Sequence, residues 1–234
     1  MKKSDAFYEG KAKILYGTED PDLIIQYFKD DATAYNAQKR GTIQGKGIMN
    51  NRISEALFTF LEGRNVPTHF VQRLNEREML VRRLEIIPVE VIVRNRIAGS
   101  LAKRLGLEEG AVLSEPVLEH CYKSDSLGDP MINESHIRAL GWATEEELET
   151  MQDLSFRINE LLKEFFDHRN LILVDFKLEF GRHHGKVYLG DEICPDTCRL
   201  WEKGTLKKLD KDRFRRDLGK VEDAYQEVCR RVCG

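Results

Sequence analysis

The stretch LILVDFKLEFG, residues 171–181, decides the fold together with its continuation RHHGKVYLGDEICPDTCRLW, which ends at residue 201. Leu171 to Val174 is apolar at every position, as in a strand entering from a buried sheet. From Asp175 the pattern alternates, placing Asp175, Lys177 and Glu179 on one face and Phe176, Leu178 and Phe180 on the other. Gly181 to Gly185 then reads as a glycine-bounded turn, and Lys186–Ile193 as the returning strand of a hairpin. That pairing brings Glu179 near Asp191, with Glu192 and Asp196 following. Carboxylates crowded in this way repel one another unless a cation lies among them, and hard oxygen donors beside phosphate suit magnesium. The alternative is a solvated acidic sheet face.

Working outward, Thr144 with Glu147 three residues later makes a capping box. The apolar spacing from Leu148 to Phe165 predicts a helix running to about His168. Gly45–Leu61 predicts a second helix, ended by Gly63. Strands are expected at Leu23–Phe28, Thr68–Gln72, Glu78–Arg83 and Val89–Arg94, with short extended runs around Glu9-Gly10-Lys11. Pro88 disfavours helix at Ile87, so a joint between two lobes is expected near Glu85–Pro88. Ala98–Leu105 reads as a short helix and Leu127–Asn133 as a loop. Two helices close the chain at about 210–218 and 219–232. Strands and helices mix without regular βαβ alternation, which defines an α+β fold.

Three further segments carry chemistry. In YEGKAKILY, Gly10 permits close backbone approach, and Lys11 and Lys13 share a strand face from which two ammoniums reach a polyphosphate. The Walker A spacing is absent, and a solvated lysine pair is the plainer reading. In VIVRNRIAGSLAKR, Arg94 ends a strand, and Gly99-Ser100 open a helix whose free amides and hydroxyl suit an anion; a capped helix beside a surface arginine fits equally. Arg199 joins this group if the two segments meet. The polar loop KSDSLGDPMINESHI holds Asp129 and Asn133, with helix capping by Asn133 or Ser135 as the structural alternative.

The chain has 234 residues, 41% of them hydrophobic and 33% charged, enough for one large domain or two small lobes. A formal net charge of −3 excludes a global basic field for nucleic acid. No apolar run is long enough to span a bilayer, and MKKSDAFYEGKAK lacks the apolar stretch of a signal peptide, so a cytoplasmic protein is expected. The five cysteines then stay reduced. Cys194/Cys198 and Cys229/Cys233 are each four apart, which admits zinc as an alternative to buried thiols.

YEGKAK, IQGKG, VEVIVRNRIAGSLAKR, GDPMINESHI, LILVDFKLEFG and GDEICPDTCRLW, in this order, resemble SAICAR synthetases over essentially the whole chain. The resemblance implies a two-lobed fold related to ATP-grasp proteins, with ATP held between the lobes. It places residues 1–85 in an N-terminal lobe with a phosphate-covering flap, and 86–234 in a lobe with the metal and ribonucleotide sites. The implied reaction joins the imidazole carboxylate ribonucleotide CAIR to L-aspartate, with Mg2+ required and a homodimer as the assembly. Carried onto this sequence, Lys11 and Lys13 contact ATP phosphates, and Glu179 and Asp191 hold magnesium. Backbone groups around Val81, Arg82 and Leu84 hold adenine. Arg94, Ser100 and Arg199 bind the 5′-phosphate, and Asp175, Lys177 and Asp196 lie at the imidazole and its carboxylate. Lys123, Asp129 and Asn133 fall near the aspartate or a closing loop. The resemblance implies phosphorylation of the CAIR carboxylate before the amine attacks.

Overall fold

The structure, a computed structural model, describes residues 3–34 and 38–234. Its first sheet is antiparallel and built from β1 (Lys3–Glu9), β2 (Lys13–Thr18), β3 (Leu23–Phe28), β6 (Phe70–Arg73) and β7 (Glu78–Arg82), in the order β1-β2-β3-β7-β6. Between β3 and β6 lie the hairpin β4 (Asp31–Ala34)/β5 (Lys39–Thr42) and the helix α1 (Lys46–Glu62). Ile53, Leu57 and Leu61 of α1 are fully buried, as the apolar spacing predicts. The same helix also buries Lys46, Asn50, Asn51 and Ser54, a polar face turned inward rather than to water.

β8 (Glu85–Arg96) begins two residues after β7 and runs straight through Pro88. The strand starts before the expected Val89 and is not interrupted by Pro88, which falls where the register against the neighbouring strand shifts between Glu179 and Gly181. A proline without an N–H is tolerated at such a bulge. The second sheet continues with α2 (Gly99–Leu105), β9 (Val112–Tyr122), β10 (Met131–Ile132), α3 (Glu134–Ala139), α4 (Glu145–Asp167), β11 (Leu171–His183), β12 (Lys186–Leu189) and β13 (Cys198–Glu202). Its order is β10-β9-β8-β11-β12, with β13 also on β11 and all pairs antiparallel. β9 escapes sequence reading because Pro116 and the charges at Glu115 and Glu119 interrupt its alternation; the ladder shifts register between Arg94 and Arg96 beside that proline. β10 takes part of the expected loop.

The hairpin turn is tighter than expected: His183 pairs with Lys186, leaving only His184 and Gly185 at φ 48° and 75° to reverse the chain. Positive φ at both positions defines a two-residue type I′ connection, whose twist suits the flanking strands. α4 starts at the Thr144 cap, with both capping-box bonds made at 2.8 and 3.2 Å. The chain ends in one short turn, α5 (Asp212–Arg215), and α6 (Val221–Cys233); the expected helix over 210–218 shrinks to four residues.

Phe176, Leu178 and Phe180 of β11 are buried in one apolar cluster with Ile158, Leu162 and Phe166 of α4, and that cluster continues into α1, β7, β8 and α6. Each such side chain contributes roughly 1.5–3 kcal/mol by leaving water. The other face of β11 is thereby committed to its charged residues. All five cysteines are free thiols, and Cys194 and Cys198 belong to the apolar cluster. Among the described residues, no helix is long and apolar enough to cross a membrane. Helices packed on two antiparallel sheets make the fold α+β, as expected.

Candidate active site

A cleft of about 840 Å³ opens between the two sheets, floored by β8 and β11 and roofed by β1, β2 and the segment Arg82–Leu84. Register decides what faces it. Asp175 sits opposite Arg94, Lys177 opposite Ile92 and Glu179 opposite Glu90, so residues of matching parity on neighbouring strands share the cleft face. On the outer strands Glu119 lies opposite Ile92, and Arg199 opposite Asp175.

The result at one end is a row of alternating charge across four adjacent strands. Arg94 donates to Glu119 and to Asp175, each at 2.8 Å, and to Ser100 Oγ at 2.9 Å. Arg199 donates to both Asp175 oxygens at 2.8 and 2.9 Å and to Asp212 at 3.0 Å. Burial lowers the Arg199 pKa, but Asp175 and Asp212 outweigh it, so the guanidinium stays charged. Gly99 lies beneath it at φ 54°, where a Cβ would meet Arg199 Nη2 at 2.4 Å. The left-handed backbone favours glycine, and a side chain there would press on the Arg199 guanidinium. Arg94 and Ser100 here meet Arg199 from a distant segment, and all three line the cleft.

Two residues further along β11 the character changes. Lys177 Nζ lies between the opposed Glu90, at 2.8 Å, and Glu179, and 3.5 Å from Asp191. Lys123 reaches Glu179 at 3.0 Å, and Lys13 pairs with Asp191 and Glu192. Burial alone would lower Lys13 and raise Asp191. Instead Asp191 and Glu192 raise the Lys13 pKa, while Lys13, Lys177 and Lys123 hold the Asp191 carboxyl far below its usual range. Glu192 goes the other way, pushed up by burial and then by Asp191. Glu179 and Asp191 do approach each other: Gly190 donates its N–H to the Glu179 carbonyl at 2.8 Å, and Asp191 follows at φ 58°. The donors here are carboxylates, four of them against three ammoniums, which fits a hard dication such as magnesium.

Asp196 also lines the cleft, but both its oxygens are occupied. Lys46 at 2.6 Å and Asn50 at 3.2 Å hold Oδ2 from α1, and Tyr225 holds Oδ1 from α6 at 2.5 Å. Lys11 reaches the cleft and pairs with Asp125 at 2.6 Å. Asp129 lines the mouth while its carboxylate accepts the Ser124 N–H at 3.0 Å.

Two expected residues are not brought in. Val81 is fully buried, on the inner strand β7 paired with β3 and β6; Arg82, Arg83 and Leu84 are what the cleft meets. Asn133 lies outside the cleft lining and caps α3, accepting from His136 N–H at 3.3 Å.

The structure adds residues that the sequence did not single out. Glu90 shares the β8 alternation with Arg94, a signal visible once β8 is known to pass through Pro88. Lys46, in the ambiguous GTIQGKG, is 1% exposed. His69 is buried behind Lys13, its pKa pushed down to about 3 by burial and then by Lys13, and its Nε2 makes no hydrogen bond. Lys211 lines the cleft and, alone among its lysines in the described residues, has no hydrogen-bonded or ion-paired partner; burial depresses its pKa.

Arginines beside a lysine–carboxylate cluster in one cleft suit an enzyme acting on anionic small molecules with a polyphosphate co-substrate. Comparison with known proteins specifies which. The SAICAR synthetase family model matches residues 6–232. The phosphoribosylaminoimidazole-succinocarboxamide synthase of Desulfitobacterium hafniense strain Y51 is 61% identical, covering 99% of this chain and 98% of its own. The crystal structure of the synthase from Ehrlichia chaffeensis superposes with a TM-score of 0.96 at 46% identity, covering 97% of this chain and 98% of that one. A SAICAR synthetase in complex with ADP matches with a TM-score of 0.93 at 45% identity, covering 96% of each chain. The chain belongs to the SAICAR synthetase family. It is a ligase, and its activity is the ATP-dependent formation of SAICAR in purine biosynthesis.

Proposed function

We propose that the cleft joins the 4-carboxylate of CAIR to the amine of L-aspartate through an acyl phosphate formed from ATP. The observation that carries this reading is the placement of both charge arrays on one face of β11. Asp175 marks the arginine pocket and Glu179 the lysine–carboxylate cluster. Four residues along a strand span about 13 Å, the reach of a mononucleotide whose 5′-phosphate lies at Arg94, Ser100 and Arg199. Its imidazole carboxylate then arrives at Lys177, with Asp175 and Asp196 flanking the base and ribose.

Glu179 and Asp191 would hold Mg2+, which when bound neutralises triphosphate charge. Lys13, Lys123 and Lys177 exchange their carboxylate partners for phosphate oxygens as the nucleotide enters; Lys11, which lies in the bend between β1 and β2 rather than on the strand face expected, follows from above. ADP bound to a family relative supports the same use of ATP here. Leu84 and its neighbours Arg82 and Arg83 receive the base. A carboxylate oxygen of CAIR attacks the γ-phosphorus, and ADP departs with the electron pair of the broken bond. The neutral amine of aspartate then attacks the acyl carbon; the C–N bond forms, the C–O bond breaks, phosphate leaves with that bond's electron pair, and the proton released by the amine passes to the departing phosphate. Positioning and charge neutralisation carry the phosphoryl step, so no protein nucleophile is needed. Lys211, an unpaired ammonium at the cleft wall, receives a carboxylate of the amino acid, with Lys123 and Asp129 at the mouth.

Residues 1–85 and 86–234 act as two lobes closing on these substrates. The enzyme works in the cytoplasm, and as the homodimer that the family resemblance implies; sedimentation tests the assembly. The reaction is tested by omission and by isotope. ADP must form only when CAIR and L-aspartate are both present; turnover without aspartate rejects the ligation. Oxygen-18 placed in the CAIR carboxylate must appear in the released phosphate; unlabelled phosphate rejects the acyl phosphate.

A further inference from the structure

Away from the cleft, the β11–β12 turn meets the turn between β2 and β3. His184 Nε2 lies 2.9 Å from Asp22 Oδ2, and the His183 ring stands beside that of His184 with centroids 4.2 Å apart. One ligand atom from each of Asp22, His183 and His184 lies within 4.8 Å of the others. Among the described residues one other set has this spacing, Glu192, Cys194 and Asp196. Its carboxylates are already held by Lys13 and by Lys46, Asn50 and Tyr225. The histidine set carries no competing lysine or arginine partner among the described contacts. We propose that Asp22, His183 and His184 form a surface site for a borderline transition-metal dication of the zinc or nickel type, bridging the two sheets.

The geometry supports coordination in three ways. A separation of 2.9 Å between an imidazole nitrogen and a carboxylate oxygen is the bite of two ligands that each sit about 2.0–2.2 Å from one ion. His183 Nδ1 lies 3.0 Å from the carbonyl oxygen of Arg83. Donation of its N–H to that oxygen leaves Nε2 with a free lone pair, the outer arrangement that orients metal-binding histidines. The backbone is fixed on both sides, by the two-residue turn at His184-Gly185 and by the Arg83 N–H bond to the Asp22 carbonyl at 2.7 Å. Two imidazoles and one carboxylate favour zinc or nickel over magnesium, which prefers oxygen alone. Three protein ligands leave the remaining positions to water.

The place of the site gives it a consequence. Asp22 belongs to a turn of the first sheet and the histidines to a turn of the second, either side of Arg83 and Leu84, where the chain crosses between them and lines the cleft. A bound ion clips these turns together at the crossing and adds binding energy to the folded state only.

The test uses the full chain, stripped with a chelator and kept in saturating Mg2+ so that the cleft carboxylates are occupied. Ni2+ is titrated calorimetrically and the thermal midpoint followed. One ion should bind per chain and raise the midpoint. His184→Ala and Asp22→Asn, both exposed and outside the catalytic machinery, should weaken that binding by about tenfold or more, since loss of even an outer partner costs roughly 10–100-fold. Their unliganded midpoints and activities should stay at the wild-type values. Absence of Ni2+ binding to the wild type, or equal binding by the variants, overturns the proposal; the latter assigns the ion to the thiols or the cleft.

Discussion

Replacing Asp191 by asparagine separates charge from shape at the centre of the cleft. The residue occupies φ 58°, a left-handed conformation that asparagine adopts as readily as aspartate, whereas alanine would add strain of about 1–2 kcal/mol. The amide keeps an oxygen for Lys13. No ammonium is orphaned, because Lys13 retains Glu192 and Lys177 retains Glu90 and Glu179. The fold should therefore lose no more than about 1 kcal/mol, the net worth of a hydrogen bond. The charge balance changes more. With all groups ionised, Glu90, Glu179, Asp191 and Glu192 against Lys13, Lys123 and Lys177 leave one net negative charge for a cation; the variant leaves none. Loss of one preorganised group at a site of charge development typically costs 100–1,000-fold in rate, or about 3–4 kcal/mol. ADP release should be followed with CAIR and L-aspartate saturating while Mg2+ is titrated. We expect kcat to fall by about 100-fold or more and half-saturation to move to higher Mg2+. An unchanged kcat at saturating Mg2+, in a variant with the wild-type melting midpoint, would refute the assignment of Asp191 as a metal ligand.

Gly99→Ala should cost about 1–2 kcal/mol of backbone strain and displace Arg199, weakening CAIR about tenfold while leaving ATP affinity unchanged; calorimetric CAIR affinity equal to wild type rejects the anion pocket. Lys46→Met leaves the buried Asp196 with two neutral partners, and should lower urea stability by about 3–5 kcal/mol, the penalty for breaking a buried pair. A loss under about 1 kcal/mol would mean that Lys211 moves in to replace it. His69, at about 3 in the folded chain against 6.5 when unfolded, is protonated more readily by the unfolded state between those values. Its contribution is complete above pH 6.5 and is lost as pH falls towards 3, a change on the order of a few kcal/mol. His69→Phe should flatten the stability profile in that window; a parallel profile shows that another group titrates.

How much of this was legible in the sequence depends on whether a signal is local. The cleft face of β11 follows from alternation alone, and the α4 cap from two residues three apart. Arg94, Ser100 and Arg199 were named from their motifs, but their convergence is a fact of register: β13 had to pair with β11 to bring Arg199 to Asp175. β9 was hidden because its proline sits at a shift of register, which no one-dimensional pattern reveals, and with it went the partnership of Glu119 with Arg94. Lys46 and Asn50 lie on the polar side of an amphipathic helix, where solvent is the natural expectation. They are buried because α1 is covered on that side by the acidic loop and α6. Val81 is set by a related constraint: on an inner strand paired on both sides, it lies off the cleft lining.

The two charge arrays differ in kind, and the difference matches their tasks. At the end proposed for the 5′-phosphate the cations are arginines, whose planar forks make several hydrogen bonds at fixed angles, and Arg94 is 2% exposed and bonded to Glu119, Asp175 and Ser100. Such a group is held before substrate arrives and has little freedom to lose. At the lysine–carboxylate cluster the cations are compact charges on flexible stems. There three ammoniums share four carboxylates, Lys13 and Lys177 each with more than one partner, so one partner can be exchanged for phosphate without dismantling the rest. A cleft built the other way round would hold the triphosphate on rigid forks and the ribonucleotide on mobile stems. In the proposed reaction the part that must stay in register through phosphorylation and amine attack is the ribonucleotide, because its carboxylate would meet both the γ-phosphate and the amine. Rigid arginines at its far end and adaptable lysines at its reacting end satisfy both demands on one strand.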